Sequence, residues 1–311
     1  MKKFKQIVFI VFGISLIVGL VLSMGFVNKD QDALPCKSLD IKVNQDGDLY
    51  FLNKKDVEQL IKDRGDSIVG QPKAKVNIPE IEKKLNSHDN IANAEVYITI
   101  DGKVKVDVKQ RKPIIRVFNA AGESYYIDSE GKLMPLSSKY TAKVLIANGA
   151  ISETYTKNCK YSVLEKQMND IVKQNNKLEE LYVMARYINA DEFWKAQVQQ
   201  IYVNSELDME IVPMVGDQKI IFGDTVALDK KFKKLLVFYQ QGLNTTGWWD
   251  KYAVINLKFK DQIVCTKKIK NNTVKSAIIK SSIEKSSIVK NNNLNNQTKS
   301  PVKPVLKGKK N

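Results

Sequence analysis

Ala94-Glu95-Val96-Tyr97-Ile98-Thr99-Ile100-Asp101-Gly102-Lys103-Val104-Lys105-Val106-Asp107-Val108 alternates apolar and polar residues on either side of one Asp-Gly pair. A period of two is the signature of a strand with one buried face, and Asp-Gly between two such runs predicts a hairpin closed by a type I′ turn. Working upstream, Leu39-Asp40-Ile41-Lys42-Val43 also alternates and reads as a strand. Asn53 caps a predicted helix running to about Ile61, with Val57, Leu60 and Ile61 on one face. Asn77 caps a second, short helix from Ile78 to Leu85, and Pro79 sits in its first turn, where a missing N–H costs nothing. The order strand, helix, helix, strand, strand predicts a small α+β domain over residues 39–113, one sheet face covered by two helices.

Downstream of Pro113, which breaks the alternation, Arg116 to Phe118, Ser124 to Ile127, Lys132 to Leu133 and Val144 to Ala147 read as short strands. Val163, Leu164, Met168, Ile171 and Val172 recur at helical spacing, and Leu178, Leu181, Tyr182 and Ala185 continue that pattern on a second helix. Gln197 to Asn204, Leu207 to Val212 and Lys219 to Phe222 follow as strands, with Gly216-Asp217 at a turn. A helix from about Ala227 to Gln241 turns Phe232, Leu235, Leu236 and Tyr239 inward and ends at Gly242. Tyr252 to Phe259 and Gln262 to Thr266 complete a second, β-rich domain with flanking helices over residues 114–268.

Outside these domains, Ile7 to Val27 is an uncharged run of twenty-one residues preceded by Lys2, Lys3 and Lys5. At about 1.5 Å per residue it spans roughly 31 Å, the thickness of a bilayer's hydrocarbon core. A cleaved signal peptide has a shorter apolar region and a small-x-small cleavage site, which Leu22 to Val27 does not offer. The run therefore reads as a transmembrane helix over 7–27. The preceding lysines hold residues 1–6 in the cytoplasm, and a linker over 28–38 leads to exported domains.

The net charge of +16 is concentrated at the ends. Residues 267–311 hold twelve lysines against Glu284, and with the three N-terminal lysines they leave about +2 for the rest. The basic balance thus describes a tail rather than a nucleic-acid surface. From residue 269 the chain is rich in Lys, Ser and Asn and reads as disordered, with attraction to anionic lipid headgroups as the functional alternative.

Nothing in the chain assembles a catalytic site. Cys36, Cys159 and Cys265 lie far apart, form no CxxC pair and read as free thiols. The single histidine, His88, falls in the polar segment Asn86 to Asn90 and reads as a solvated loop residue. No Walker-type or GxGxxG loop occurs, and Glu179-Glu180 and Asp191-Glu192 read as solvated or capping carboxylates. No cofactor, metal or small-molecule substrate is expected. Trp248-Trp249 reads as a pair split between core and rim. What remains is a binding protein, whose β-rich end supplies a strand edge able to accept a strand from another chain.

Over most of residues 1–268 the sequence resembles the bacterial division family FtsQ, called DivIB in Gram-positive species. The first domain resembles a POTRA module, including its exit segment Val106-Asp107-Val108-Lys109-Gln110-Arg111-Lys112-Pro113-Ile114. Tyr126-Ile127-Asp128-Ser129-Glu130-Gly131 resembles the opening of the family's β domain. The string Phe193-Trp194-Lys195-Ala196-Gln197-Val198-Gln199-Gln200-Ile201-Tyr202-Val203, followed by Ile211-Val212-Pro213, Ile221-Phe222-Gly223, Ile255-Asn256-Leu257 and Gln262 to Thr266, resembles the Bacteroidetes branch.

The resemblance implies a single-pass protein of the bacterial inner membrane, with its domains in the periplasm and its destination the septum. It implies binding to FtsB and FtsL-like division proteins, through them action on FtsW and FtsI, and a link to FtsK. It also implies strand addition at the last β-strand, which places partner contacts on Tyr252, Val254, Asn256, Lys258, Phe259, Ile263 and Val264. Phe259 falls where an aromatic anchor of the family lies, while Cys265, Thr266 and Lys267 occupy the region of a second anchor.

Two other classes compete. A POTRA protein of polypeptide transport or assembly requires a β-barrel after the module, and the helical segments downstream do not fit one. An anchored cell-wall hydrolase or transferase requires an acid pair or nucleophile converging in one cleft.

Overall fold

The computed structural model describes residues 4, 10–19, 33–44, 49–62, 67–159, 162–164 and 177–269. Two sheets organise it. The first has the order β1-β3-β2, with β1 (Ser38–Asn44) parallel to β3 (Lys103–Gln110) and β2 (Ile91–Ile98) antiparallel to it. Helices α1 (Lys54–Lys62) and α2 (Ile78–Asn86) cover one face and close a core of Ile41, Val57, Leu85, Ala94, Val96, Val104, Val106 and Val108.

Local chemistry accounts for both helix starts. Asn53 Oδ1 accepts the N–H groups of Lys55 at 2.8 Å and Asp56 at 3.1 Å, while Asp56 Oδ2 accepts from Asn53 N–H at 3.0 Å. That exchange is a capping box, satisfying donors the helix itself leaves open. Asn77 caps α2 by accepting from Glu80 N–H at 3.2 Å. The β2–β3 hairpin forms as expected but not with the expected turn. A type I′ turn needs positive φ at both central residues, and Asp101 is not among the residues with positive φ, whereas Gly102 is at 86°. Gly102 N–H instead donates to the Thr99 carbonyl and Thr99 N–H to the Lys103 carbonyl. This is the three-residue hairpin loop in which glycine takes the left-handed position.

The second sheet has nine strands in the order β12-β11-β10-β9-β8-β7-β4-β5-β6. They are β4 (Pro113–Phe118), β5 (Ser124–Asp128), β6 (Leu133–Met134), β7 (Leu145–Gly149), β8 (Val198–Val203), β9 (Met209–Pro213), β10 (Lys219–Gly223), β11 (Tyr252–Asn256) and β12 (Val264–Lys267). Pairings β4·β7, β7·β8 and β10·β11 are parallel and the others antiparallel. Helices α4 (Lys177–Ala190), α5 (Glu192–Gln197) and α6 (Leu228–Val237) follow a short turn of helix, α3 (Tyr155–Asn158). Leu181, Ala185, Trp194, Phe232 and Leu235 from α4, α5 and α6 pack on Ile115, Ile201, Ile211, Phe222 and Ile255 of the strands. Asp191 caps α5, accepting from Phe193 and Trp194 N–H at 2.9 and 3.1 Å.

Several expected boundaries move. Pro113 opens β4 rather than standing outside it, since a strand's first residue tolerates a missing donor. Leu207 lies in a turn at φ 64°, not in β9. Gly242 does not end the helix after α6: a π-helical turn, Phe238–Asn244, carries the chain through it. A Cβ there would stand 3.0 Å from the Phe238 ring, so glycine serves a close approach rather than a cap. The helix expected around Val163 to Val172 falls largely outside the described residues, although Val163 itself is in the core.

A third apolar cluster joins the domains. Leu49 and Phe51, from the segment between β1 and α1, pack with Tyr126, Met134 and Ala142 of the large domain. Gln110 ties that segment down, accepting from Leu52 N–H at 2.9 Å and donating to the Leu49 carbonyl at 3.2 Å. Arg111 reaches across to Asp128 at 2.9 Å, and Tyr155 Oη donates to Asp89 at 3.0 Å.

Of the expected anchor, Ile10 to Gly19 are helical and exposed. Among the described residues no helix is long and apolar enough to cross a membrane. The rest of the run from Ile7 to Val27, apart from these ten residues, and the tail from residue 270 onward lie outside the described residues.

Candidate functional site at the edge of the large sheet

β12 carries a free edge of the nine-stranded sheet. Its neighbour β11 is paired on both sides: Val254 and Asn256 lie opposite Lys219 and Ile221 of β10, and opposite Thr266 and Val264 of β12. The expected contact residues Val254 and Asn256 therefore lie on a strand enclosed on both sides, and the free edge at this end is that of β12. Lys268 N–H donates inward to the Lys251 carbonyl at 2.9 Å. By the alternation of a strand, the N–H groups of Cys265 and Lys267 then point outward.

The expected strand from Tyr252 to Phe259 stops at Asn256 for a local reason. Asn256 Oδ1 accepts from Lys258 N–H at 3.0 Å, and Leu257 N–H returns to the Ile221 carbonyl at 2.9 Å. The side-chain bond turns the chain out of the sheet. Lys258 and Phe259 therefore belong to the connection between β11 and β12.

The seven sequence-selected side chains do not form one surface. Ile255 is fully buried and Cys265 packs against the core, so Val254, Asn256 and Val264 face the side of the sheet away from the helices. Tyr252 and Ile263 pack against the core instead, with Tyr252 beside the Phe238 ring. Lys258 is committed to an ion pair with Asp208, whose hydrogen bond holds the ammonium's pKa above its usual value. Phe259 is 45% exposed.

Sequence reasoning missed Lys234, on α6. Its ammonium lies 2.6 Å from the Phe259 carbonyl, 3.1 Å from that of Lys260, 3.3 Å from that of Leu257 and 3.5 Å from that of Gln262. Burial lowers its pKa, which the Asp261 carboxylate partly offsets. One side chain thus gathers the carbonyls of the β11–β12 connection around α6. The only signal in the sequence was position, since Lys234 borders the buried stripe of Phe232 and Leu235.

Between α6 and this connection runs a groove of about 700 Å³, lined by the apolar Val237, Phe238 and Ile263, by Lys230, Lys233, Lys234 and Lys260, and by the single acid Asp261. Apolar side chains among a net excess of lysines suit a segment that carries apolar and acidic side chains.

Elsewhere, His88 is not solvated as expected. It is partly buried, its Nδ1 accepts from Asn90 N–H at 3.2 Å, and desolvation lowers its pKa. The three cysteines are free. Trp249 packs against the core while Trp248 is exposed. Among the described residues no cluster of His, Cys, Asp and Glu is arranged to hold a metal ion. Lys2, Lys3 and Lys5 lie outside the described residues.

Two family comparisons match this architecture. The family described as FtsQ/DivIB, C-terminal related, matches residues 112–266, the span of the nine-stranded sheet. The POTRA-like domain matches residues 34–109, the span of the three-stranded one. A comparison with curated proteins returned no match. With a POTRA-like module followed directly by the family's C-terminal domain, the chain belongs to the FtsQ/DivIB family of bacterial division proteins.

Proposed function

We propose that this chain is a non-enzymatic, single-pass scaffold of the bacterial divisome, which receives an extended segment of an FtsB-like partner on the free edge of β12. The observation that carries the reading is the unpaired β12 edge beside an exposed Phe259 on a connection held by Lys234. Backbone hydrogen bonds to the outward groups of Cys265 and Lys267 supply affinity, and the neighbouring side chains supply choice of partner. FtsL would join through the same complex, FtsW and FtsI would respond to it, and FtsK would act through the POTRA-like domain. The anchor over residues 7–27, with a cytoplasmic N-terminus, would confine both domains to the outer face of the inner membrane. That confinement raises their effective concentration against other anchored partners at the septum.

A polypeptide-transport role is less well supported. A client strand added to β2 of the POTRA-like sheet would have to displace Asn86 and Glu82, whose side chains already bond that edge.

Two substitutions test the docking site. Lys267→Pro removes an outward N–H without touching a bond to β11, and Phe259→Ala removes the exposed ring. Capture of an FtsB-like segment by the full chain should weaken at least tenfold in each, about 1.4 kcal/mol. Unchanged capture in both would refute the site. A fluorescent fusion of the full chain should gather at the septum, and an even distribution around the envelope would refute the division role.

A further inference from the structure

The POTRA-like sheet has one sealed edge and one open edge. On β2, Asn86 Oδ1 accepts from Ala94 N–H at 2.8 Å, its Nδ2 donates to the Ala94 carbonyl at 3.0 Å, and Glu82 accepts from Val96 N–H at 3.2 Å. β1 lies at the opposite edge and pairs only with β3. Lys37 N–H donates toward the hairpin, to the Gly102 carbonyl, and Cys36 N–H donates away from it, to Gln71. Within the strand the register decides which groups are free: Thr99 N–H bonds the Lys103 carbonyl, so Lys103, Lys105 and Asp107 turn their backbone groups to β2 and Val104, Val106 and Val108 turn theirs to β1. Those bonds engage Ser38, Asp40, Lys42 and Asn44, and the backbone groups of Leu39, Ile41 and Val43 point outward. Among the described residues Asp40 and Lys42 enter no ion pair, and no side chain bonds the outer edge between Ser38 and Asn44.

An edge lysine ordinarily repels a second strand of the same kind. Here an acid precedes it by two residues, with Ile41 between them. We propose that β1 is a self-association edge, on which a second copy of this chain pairs antiparallel about Ile41. That register sets Asp40 opposite Lys42 of the second copy and Lys42 opposite its Asp40. Ser38 meets Asn44, and Leu39 meets Val43 on the helix-covered face. The contact is isologous, so each charged pair occurs twice by symmetry.

In that register Ile41 faces Ile41 and Leu39 faces Val43, the residues whose backbone groups point outward, so each outward N–H and carbonyl of the edge meets a partner group. Asp40 and Lys42 then form non-hydrogen-bonded pairs, in which side chains approach more closely. The sheet behind the edge supports the same register. Across β3, Asp40 lies opposite Lys105 and Lys42 opposite Asp107. A row across the joined sheets then reads Lys105, Asp40, Lys42, Asp107, alternating in sign throughout. By contrast β12 ends in Lys267 and Lys268, and a self-pair there would oppose like charges.

The experiment is sedimentation of the full chain in detergent, as wild type, Asp40→Lys, Lys42→Asp and the double swap. The wild type should dimerise. Each single variant replaces two opposite-charge pairs by two like-charge pairs, which should weaken association about tenfold or more. The double variant should recover it. Recovery separates the two explanations, because the swap places like charges beside Lys105 and Asp107 within each chain, and an effect on the single chain would then worsen. A monomeric wild type, equal association of all four proteins, or a double variant no better than the singles would overturn the proposal.

Discussion

Lys234 Nζ stands 2.6 Å from the carbonyl oxygen of Phe259, joining helix α6 to the bend that presents the exposed Phe259 ring. An ammonium shared among several carbonyls restrains their chain more than a single bond does, because the bend cannot open without breaking several contacts together. Lys234→Met keeps the aliphatic stem and removes those donors, at an expected loss of about 1 to 3 kcal/mol. Amide exchange between Leu257 and Ile263 should rise, and binding through Phe259 should weaken, while the POTRA-like sheet stays protected. Lys234→Arg should recover part of both.

Phe51 joins the two domains. It is 2% exposed and stacks edge-on against Tyr126 at 5.9 Å and Tyr140 at 5.0 Å. Phe51→Ala opens a cavity and removes both aromatic contacts, an expected loss of about 3 to 5 kcal/mol. The loss falls on the junction rather than on either sheet's own core. Calorimetry should show one unfolding transition in the wild type separating into two in the variant.

A second tie across the junction titrates. Desolvation tends to raise the pKa of Asp56, but the Lys139 hydrogen bond, the Asn53 N–H and the Lys139 charge together outweigh it and hold the group below its usual value of 3.8. A carboxylate with a depressed folded pKa contributes stability above its unfolded pKa, and that stability is lost as pH falls through the folded value. Lys139 is more than half exposed, so the pair contributes no more than about 1 kcal/mol. Urea midpoints of wild type and Lys139→Met should differ at pH 6 and draw together as pH falls below 3.8 through the folded value.

Asn86 is expected to protect solubility as much as stability. Asn86→Ala leaves the Ala94 N–H and carbonyl exposed on β2, costing about 1 to 3 kcal/mol and opening an edge to other strands. Light scattering on warming should rise earlier in the variant, and the double variant with Glu82→Ala should rise earlier still.

Much of the fold was legible because its signals are local. Asn53 and Asn77 name their helices by a side-chain oxygen that reaches two or three residues ahead, and Val104, Val106 and Val108 reveal a buried face by period alone. The misread turn at Asp101-Gly102 shows where local reading stops. The same dipeptide serves two loop types, and the register of Thr99 against Lys103 selects between them. The proposed docking edge was legible only in part. Val264 and Phe259 fall near the edge, but nothing in Tyr252 to Asn256 reveals that β10 lies parallel beside them.

The amino-acid sequence by itself determined the succession of elements, the neutral balance of the domains and the family, because periodicity, caps and charge are set by neighbours along the chain. Tertiary structure alone decided which edges stay open. β12 ends its sheet because β11 is enclosed between β10 and β12, β2 is closed because α2 brings Asn86 against Ala94, and β1 is left with Asp40 and Lys42 at its rim. Those outcomes depend on pairings between residues far apart in sequence, and no local pattern encodes which backbone groups such pairings leave unmet.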